Sequence, residues 1–128
     1  MKQILVLSIL IFQILSGFAQ QNLSENAKIA LKSGDSQKLS RLCAASLEFG
    51  LDGDAEAMSS RKVAENLAGF FRQNPPADAL IQFQGKGKDG RKFLVCKYKS
   101  SKGSDFRISF YWKEKAPEQF EAIDITKD

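Results

Sequence analysis

No histidine occurs in the 128 residues of this chain. That absence removes Ser-His-Asp and Cys-His nucleophilic systems. It also removes His-Asp proton shuttles and every zinc site that needs an imidazole. Cysteine is scarce as well: two thiols are too few for a four-thiolate zinc site or an iron–sulfur cluster. A Gly-rich phosphate loop and metal-ligand spacing are missing. No paired carboxylates stand in a setting that would raise one pKa. An enzyme built from this sequence would have to work with carboxylates, Lys, Tyr, Cys or Ser, and the expectation is no catalytic residue, no metal and no cofactor.

Long apolar runs are absent except at the start. Lys2 precedes an apolar run from Ile4 to Leu15, followed by Ser16-Gly17-Phe18-Ala19. Gly17 and Ala19 are the small residues a signal peptidase requires at its −3 and −1 positions, which predicts a signal peptide over 1–19, cleaved before Gln20. The run is shorter than the roughly 20 apolar residues of a spanning helix, so no transmembrane anchor is expected. No cysteine follows it that could carry a lipid. Residues 20–128 then form the mature chain, with 18 basic and 15 acidic side chains, a charge of +3. Its eight Phe, two Tyr and Trp112 suffice for one modest core and a single domain. The expected location is outside the cytoplasm, periplasmic or secreted.

Cys43 and Cys96 both fall in that mature chain. Export permits a disulfide between them, and the same residues also read as two small buried apolar side chains. Both readings stay open on sequence.

Periodicity places a first helix over Leu23 to Leu31, with Ala27, Ala30 and Leu31 as its stripe. After Ser33-Gly34, Asp35 or Ser36 caps a second helix whose inner face is Leu39, Leu42 and Cys43. Leu47, Phe49 and Leu51 alternate as a short strand, and Asp52-Gly53-Asp54 is a turn. That turn lacks the twelve-residue loop and closing Glu of a calcium site. Ser59 or Ser60 caps the longest helix, to Gln73, with Val63, Leu67, Phe70 and Phe71 on one face. Asn74-Pro75-Pro76 stops it. Strands follow over Leu80 to Lys86, Lys92 to Ser100, Asp105 to Lys113 and Gln119 to Thr126. In the third of these, Phe106, Ile108, Phe110 and Trp112 share one face, and Arg107, Ser109, Tyr111 and Lys113 the other. Helices precede strands, so the fold class is α+β, with about three helices on a curved antiparallel sheet.

This architecture resembles the nuclear-transport-factor-2-like, or cystatin-like, cone. Several stretches resemble a narrower group in it, the secreted bacterial domain of unknown function 4783. They are Ala30-Leu-Lys-Ser-Gly-Asp35 with Leu39 and Leu42, Lys62-Val-Ala-Glu-Asn-Leu67 with Phe70-Phe71, Asn74-Pro75-Pro76, Gln84-Gly85, and Gly103-Ser-Asp-Phe-Arg107. The resemblance covers nearly the whole mature chain and implies a Gram-negative exported protein. That family commonly carries a histidine just before the Gln-Gly pair; Phe83 stands there in this chain, so no role of that histidine transfers.

A cone's mouth is a natural pocket, and Phe71, Tyr98, Arg107 and Tyr111 are the candidate pocket residues. Arg107 points away from the face of Phe106 and Ile108. If its face is the interior, it can clamp a carboxylate or phosphate; if not, it is a solvated charge. Asp124 alternates with Ile123 and Ile125 and is expected to face solvent while they face inward. Between Lys86 and Lys102 seven basic residues meet one acidic one, while the tail from Glu114 carries five acidic and two basic side chains. The basic hairpin reads as an anion-facing patch or as solvated edge lysines. It carries no nucleic-acid recognition motif. Three functions follow: an exported non-catalytic module binding a small ligand or an envelope protein, a homodimer pairing through Phe110, Tyr111 and Trp112, and a histidine-free isomerase- or dehydratase-like enzyme.

Overall fold

The computed structural model describes residues 23–128; the expected signal segment, 1–19, lies outside them. Among the described residues three helices and six strands run in the order α1 (Leu23–Ser33), α2 (Ser36–Arg41), β1 (Cys43–Leu51), β2 (Asp54–Ser59), α3 (Ser60–Gln73), β3 (Pro76–Lys86), β4 (Arg91–Ser100), β5 (Asp105–Lys113) and β6 (Phe120–Lys127). The helices start where short polar side chains satisfy free N–H groups. Asp35 accepts from Lys38 N at 3.0 Å, and Ser59 from Lys62 N at 3.1 Å. The stripes expected on α1 and α3 are the buried ones.

The strands form one sheet ordered β2-β1-β6-β5-β4-β3. It is mixed rather than antiparallel throughout, because β1 pairs parallel with β6, Phe49 facing Ile123. The chain closes the sheet by bringing its last strand between β1 and β5, and the helix-containing connection from β1 onward gives the length such a parallel crossover needs. Strand β2 was not expected: Ala55, Glu56 and Ala57 have low strand propensity and the whole segment is exposed or half-exposed. It forms because Asp52 (φ 54°) and Gly53 (φ 93°) reverse the chain tightly and lay it on the free edge of β1. Cys43 begins β1 instead of ending the helix; Leu42 caps α2, and its carbonyl accepts from Phe120 N at 2.9 Å.

The helices cover one face, here called inner. Cross-strand neighbours Leu94 and Phe110, Cys96 and Ile108, and Tyr98 and Phe106 face it together, and all six are buried. Helix α1 runs along β3 and β4, from Leu23 beside Lys92 and Trp112 to Lys32 beside Asp78. The opposite, outer face carries Leu80, Phe83, Val95, Lys97, Arg107, Tyr111 and Asp124.

Candidate functional site

At the α3 end, the inner face is sealed by rings. Phe70 packs edge-on against Phe106 at 4.9 Å and lies 5.3 Å from Tyr98, with Phe71 6.0 Å from Tyr98. Tyr98 donates its hydroxyl to the carbonyl of Asn74, and burial pushes its pKa up. No buried side-chain polar atom there is without a partner among the described residues, so this end is packed core.

The other end of the same face is open. A cleft of about 600 Å³ lies between the start of α1 and the ends of β3, β4 and β5, within the size range of small-molecule sites. Its inner-face side chains are Gln84, Lys86, Lys92 and Trp112; Leu23 and Ser24 come from α1, and Glu118 from the loop between β5 and β6. Gly85 and Phe93 complete the lining. A Cβ at Gly85 would meet the Phe93 ring at 3.2 Å, so a side chain there requires that ring to shift slightly.

Trp112 is 4 % exposed and stacks edge-on against Phe120 at 5.2 Å. Its indole N–H is the one buried side-chain polar atom among the described residues with no hydrogen-bond partner. Such a donor is left at a cost of about 1–3 kcal/mol. At the rim, Lys92 lies 3.0 Å from Glu118 and 3.8 Å from Glu114, and Lys86 lies 2.8 Å from Glu114. The Glu114 hydrogen bond and charge raise the Lys86 pKa, and Lys86 in turn lowers that of Glu114. The basic hairpin is therefore in part neutralised by the acidic tail.

The four sequence-predicted pocket residues do not converge. Phe71 and Tyr98 belong to the sealed core. Arg107 and Tyr111 are on the outer face, because α1 and α3 cover the face of Phe106 and Ile108. The Arg107 side chain is 52 % exposed and its guanidinium lies 3.9 Å from Asp128, a solvated charge and not a clamp. Tyr111 instead shares a shallow outer concavity of about 310 Å³ with Glu48, Arg91 and Asp124, the Arg91 guanidinium lying 5.4 Å from its ring centre. Asp124 does turn outward while Ile123 and Ile125 are buried. Phe110 and Trp112 are buried under the helices, so of the expected pairing patch only Tyr111 is on the open face.

Cys43 and Cys96 are both free and buried. They sit on β1 and β4, with β6 and β5 between them; at about 4.8 Å per strand this exceeds the 7 Å limit for a disulfide. Burial pushes both thiols up to about 12. Among the described residues no three His, Cys, Asp or Glu side chains group to hold a metal ion, and no helix is long and apolar enough to cross a membrane.

Sequence reasoning missed Trp112, Lys92 and Glu118 as site residues. The available signal was a lone tryptophan closing the apolar face of β5, directly opposite a lysine on β4.

Three helices on one face of a six-stranded mixed sheet define the nuclear-transport-factor-2-like, or cystatin-like, fold. A protein of that fold and unknown function from Shewanella baltica superposes with a TM-score of 0.65 at 10 % identity, over 90 % of this chain and 95 % of its own. Proteins of a narrower group lie nearer in sequence. One from Bacteroides ovatus gives 0.73 at 23 % identity, over 80 % of this chain and 93 % of its own. Another, from Bacteroides uniformis, gives 0.74 at 20 %, over 84 % and 98 %. Both are DUF4783 proteins. The family model of this domain of unknown function matches residues 24–125, and the chain belongs to that family. No curated protein sequence matches the chain.

Proposed function

We propose that this chain is an exported, non-catalytic binding module that takes a small ligand in the cleft beside Trp112. The observation that carries the reading is the cleft itself, about 600 Å³ and lined by Trp112, Leu23 and two lysines, within the size range of small-molecule sites. Export rests on Lys2, the apolar run and the Gly17–Ala19 pattern. Trp112 is the chain's one tryptophan, so its fluorescence reports on the cleft alone. The test is native mass spectrometry of protein purified from its own host, followed by titration of any co-purified molecule against that fluorescence. A bound molecule that shifts the emission supports the reading; a ligand-free protein unresponsive to metabolite mixtures overturns it.

A second reading, a homodimer through the outer face, is favoured by Phe83 at 58 % and Leu80 at 39 % exposure on that helix-free surface. Lys97 and Arg107 lie on its β4–β5 side and Glu48 and Asp124 on its β1–β6 side. A two-fold pairing sets each basic half on the partner's acidic half. Sedimentation at micromolar concentration tests it. A dimer that Phe83→Asp dissociates supports it, and a strict monomer overturns it.

A further inference from the structure

One row of paired residues crosses the whole sheet on its outer face: Phe83, Val95, Ser109, Asp124, Gly50 and Ala55, one from each strand from β3 to β2. Its β3 half is bulky and its β2 half is small. Phe83 at one edge is the most exposed large apolar side chain among the described residues. Toward the other edge Gly50 and Ala55 leave little above the backbone. Charge divides along the same line. Arg107 and Lys97, the next outward residues along β5 and β4, are directly opposite each other, a like-charge pairing that costs stability within one chain. Among the described residues Lys97 has no ion-pair partner, and Arg107 has only Asp128 at 3.9 Å. Asp124 on β6 and Glu48 on β1 have no cationic partner among them either.

We infer that a second copy of the chain covers this face, turned about a two-fold axis that runs along the strands between β5 and β6, an inference that rests on the outer-face dimer reading and fixes its register. In the order β2-β1-β6-β5-β4-β3 that line is the middle of the sheet, so the two faces overlap fully. Phe83 then lies on the partner's Ala55, Val95 on the partner's Gly50, and the Ser109 hydroxyl beside the partner's Asp124. Arg107 stands opposite Thr126 on β6, so the partner's Asp124 is two residues along, about 7 Å, within reach of an arginine side chain. An axis across the strands would instead set β4 on β4 and β5 on β5, cation against cation. Aligned sheets cross at roughly 30°, which displaces the edges by about one residue pair. The next outward residue of β2, Ala57, is small as well. Six strands about 4.8 Å apart and about eight residues long span roughly 600 Å² before side-chain relief is counted, so the roughly 800 Å² per partner of a standard interface needs the whole face.

The test is sedimentation of the unaltered chain and of charge-reversed variants, with thermal melts showing that each variant folds. Arg107→Asp and Asp124→Arg are each expected to raise the dimer Kd about tenfold, and the double variant to return it to within about threefold of the unaltered chain. Cysteine cross-linking reads the register without relying on those charges. Phe83→Cys combined with Ala55→Cys or with Ala57→Cys is expected to give a disulfide-held dimer on a non-reducing gel, and Phe83→Cys alone to give none. Neither pair can close within one chain, since β3 and β2 are the two edges of the sheet. A dimer indifferent to both charge reversals, or not restored by the double variant, overturns this register and leaves the outer-face dimer standing. Cross-linking through Phe83→Cys alone, or a dimer that neither cysteine pair cross-links, overturns it too. A strict monomer overturns the register and the dimer reading together.

Discussion

The inner face of the sheet carries aromatic residues at both ends, and the two ends are finished differently. Beside α3, Phe70, Phe71, Tyr98 and Phe106 fill the space between helix and sheet, and the single hydroxyl among them is paired with Asn74. Beside the start of α1, Trp112 has among the described residues only Phe120 as its ring neighbour, an unpaired N–H, and a cleft next to it. Equal burial therefore hides unequal packing. Rings that touch rings, with polar atoms satisfied, hold the fold together. A ring that borders a cleft, with its donor unpaired, is less completely packed.

The largest expected effect is at the sealed end. Phe106→Ala should remove about 3–5 kcal/mol from the free energy of unfolding, read by urea denaturation. A loss under 1 kcal/mol would mean that the ring cluster is loose and the contrast false. Tyr98→Phe deletes the hydroxyl that Asn74 accepts from, and should lower stability by about 1 kcal/mol in the same assay. Trp112→Phe should change stability by less than that. The lost ring area is offset by removal of a buried donor that had no partner. A loss as large as that of Phe106→Ala would break the comparison, by making Trp112 ordinary core.

The buried thiols give a milder, pH-dependent effect on both sides of the sheet's centre. Their folded pKa of about 12 lies above the ordinary 9.0. The protection is complete below pH 9. Above it the unfolded chain loses protons that the folded chain keeps, so stability falls as pH rises from 9 toward 12. Melting temperature should drop from pH 8 to pH 10, and a thiol reagent at pH 8 should label Cys43 and Cys96 only after unfolding. Labelling of the native protein would show that the core opens. The smallest effect belongs to the rim: Glu114→Gln removes an exposed ion pair and should leave the melting temperature within the error of a scan.

Much of this architecture was legible in residue order. The stripes Ala27-Ala30-Leu31 and Val63-Leu67-Phe70-Phe71 and the alternation from Phe106 to Trp112 each predict their element and its buried face, because period and polarity are local properties. Strand β2 was illegible because nothing in Ala55-Glu56-Ala57 prefers a strand; the free edge of β1 makes it one. The direction of β6 against β1 was illegible for a related reason. Which strand lies beside which is settled by the whole sheet and not by either segment.

The candidate site divides in the same way. Alternation alone established that Arg107 and Tyr111 oppose Phe106 and Trp112, but it could not say which side the helices take. That needed α1 and α3 to be seated on the sheet, and with them the cleft moved to Trp112. Charge shows the division most plainly. By itself the sequence determined a basic stretch near Lys86–Lys102 and an acidic tail from Glu114, apart along the chain. Only the tertiary structure decided that they meet, Lys86 on Glu114 and Lys92 on Glu118, because pairing β4 with β5 brings the two segments to one end of the sheet. Coulomb attraction acts through space, and the sequence records only distance along the chain.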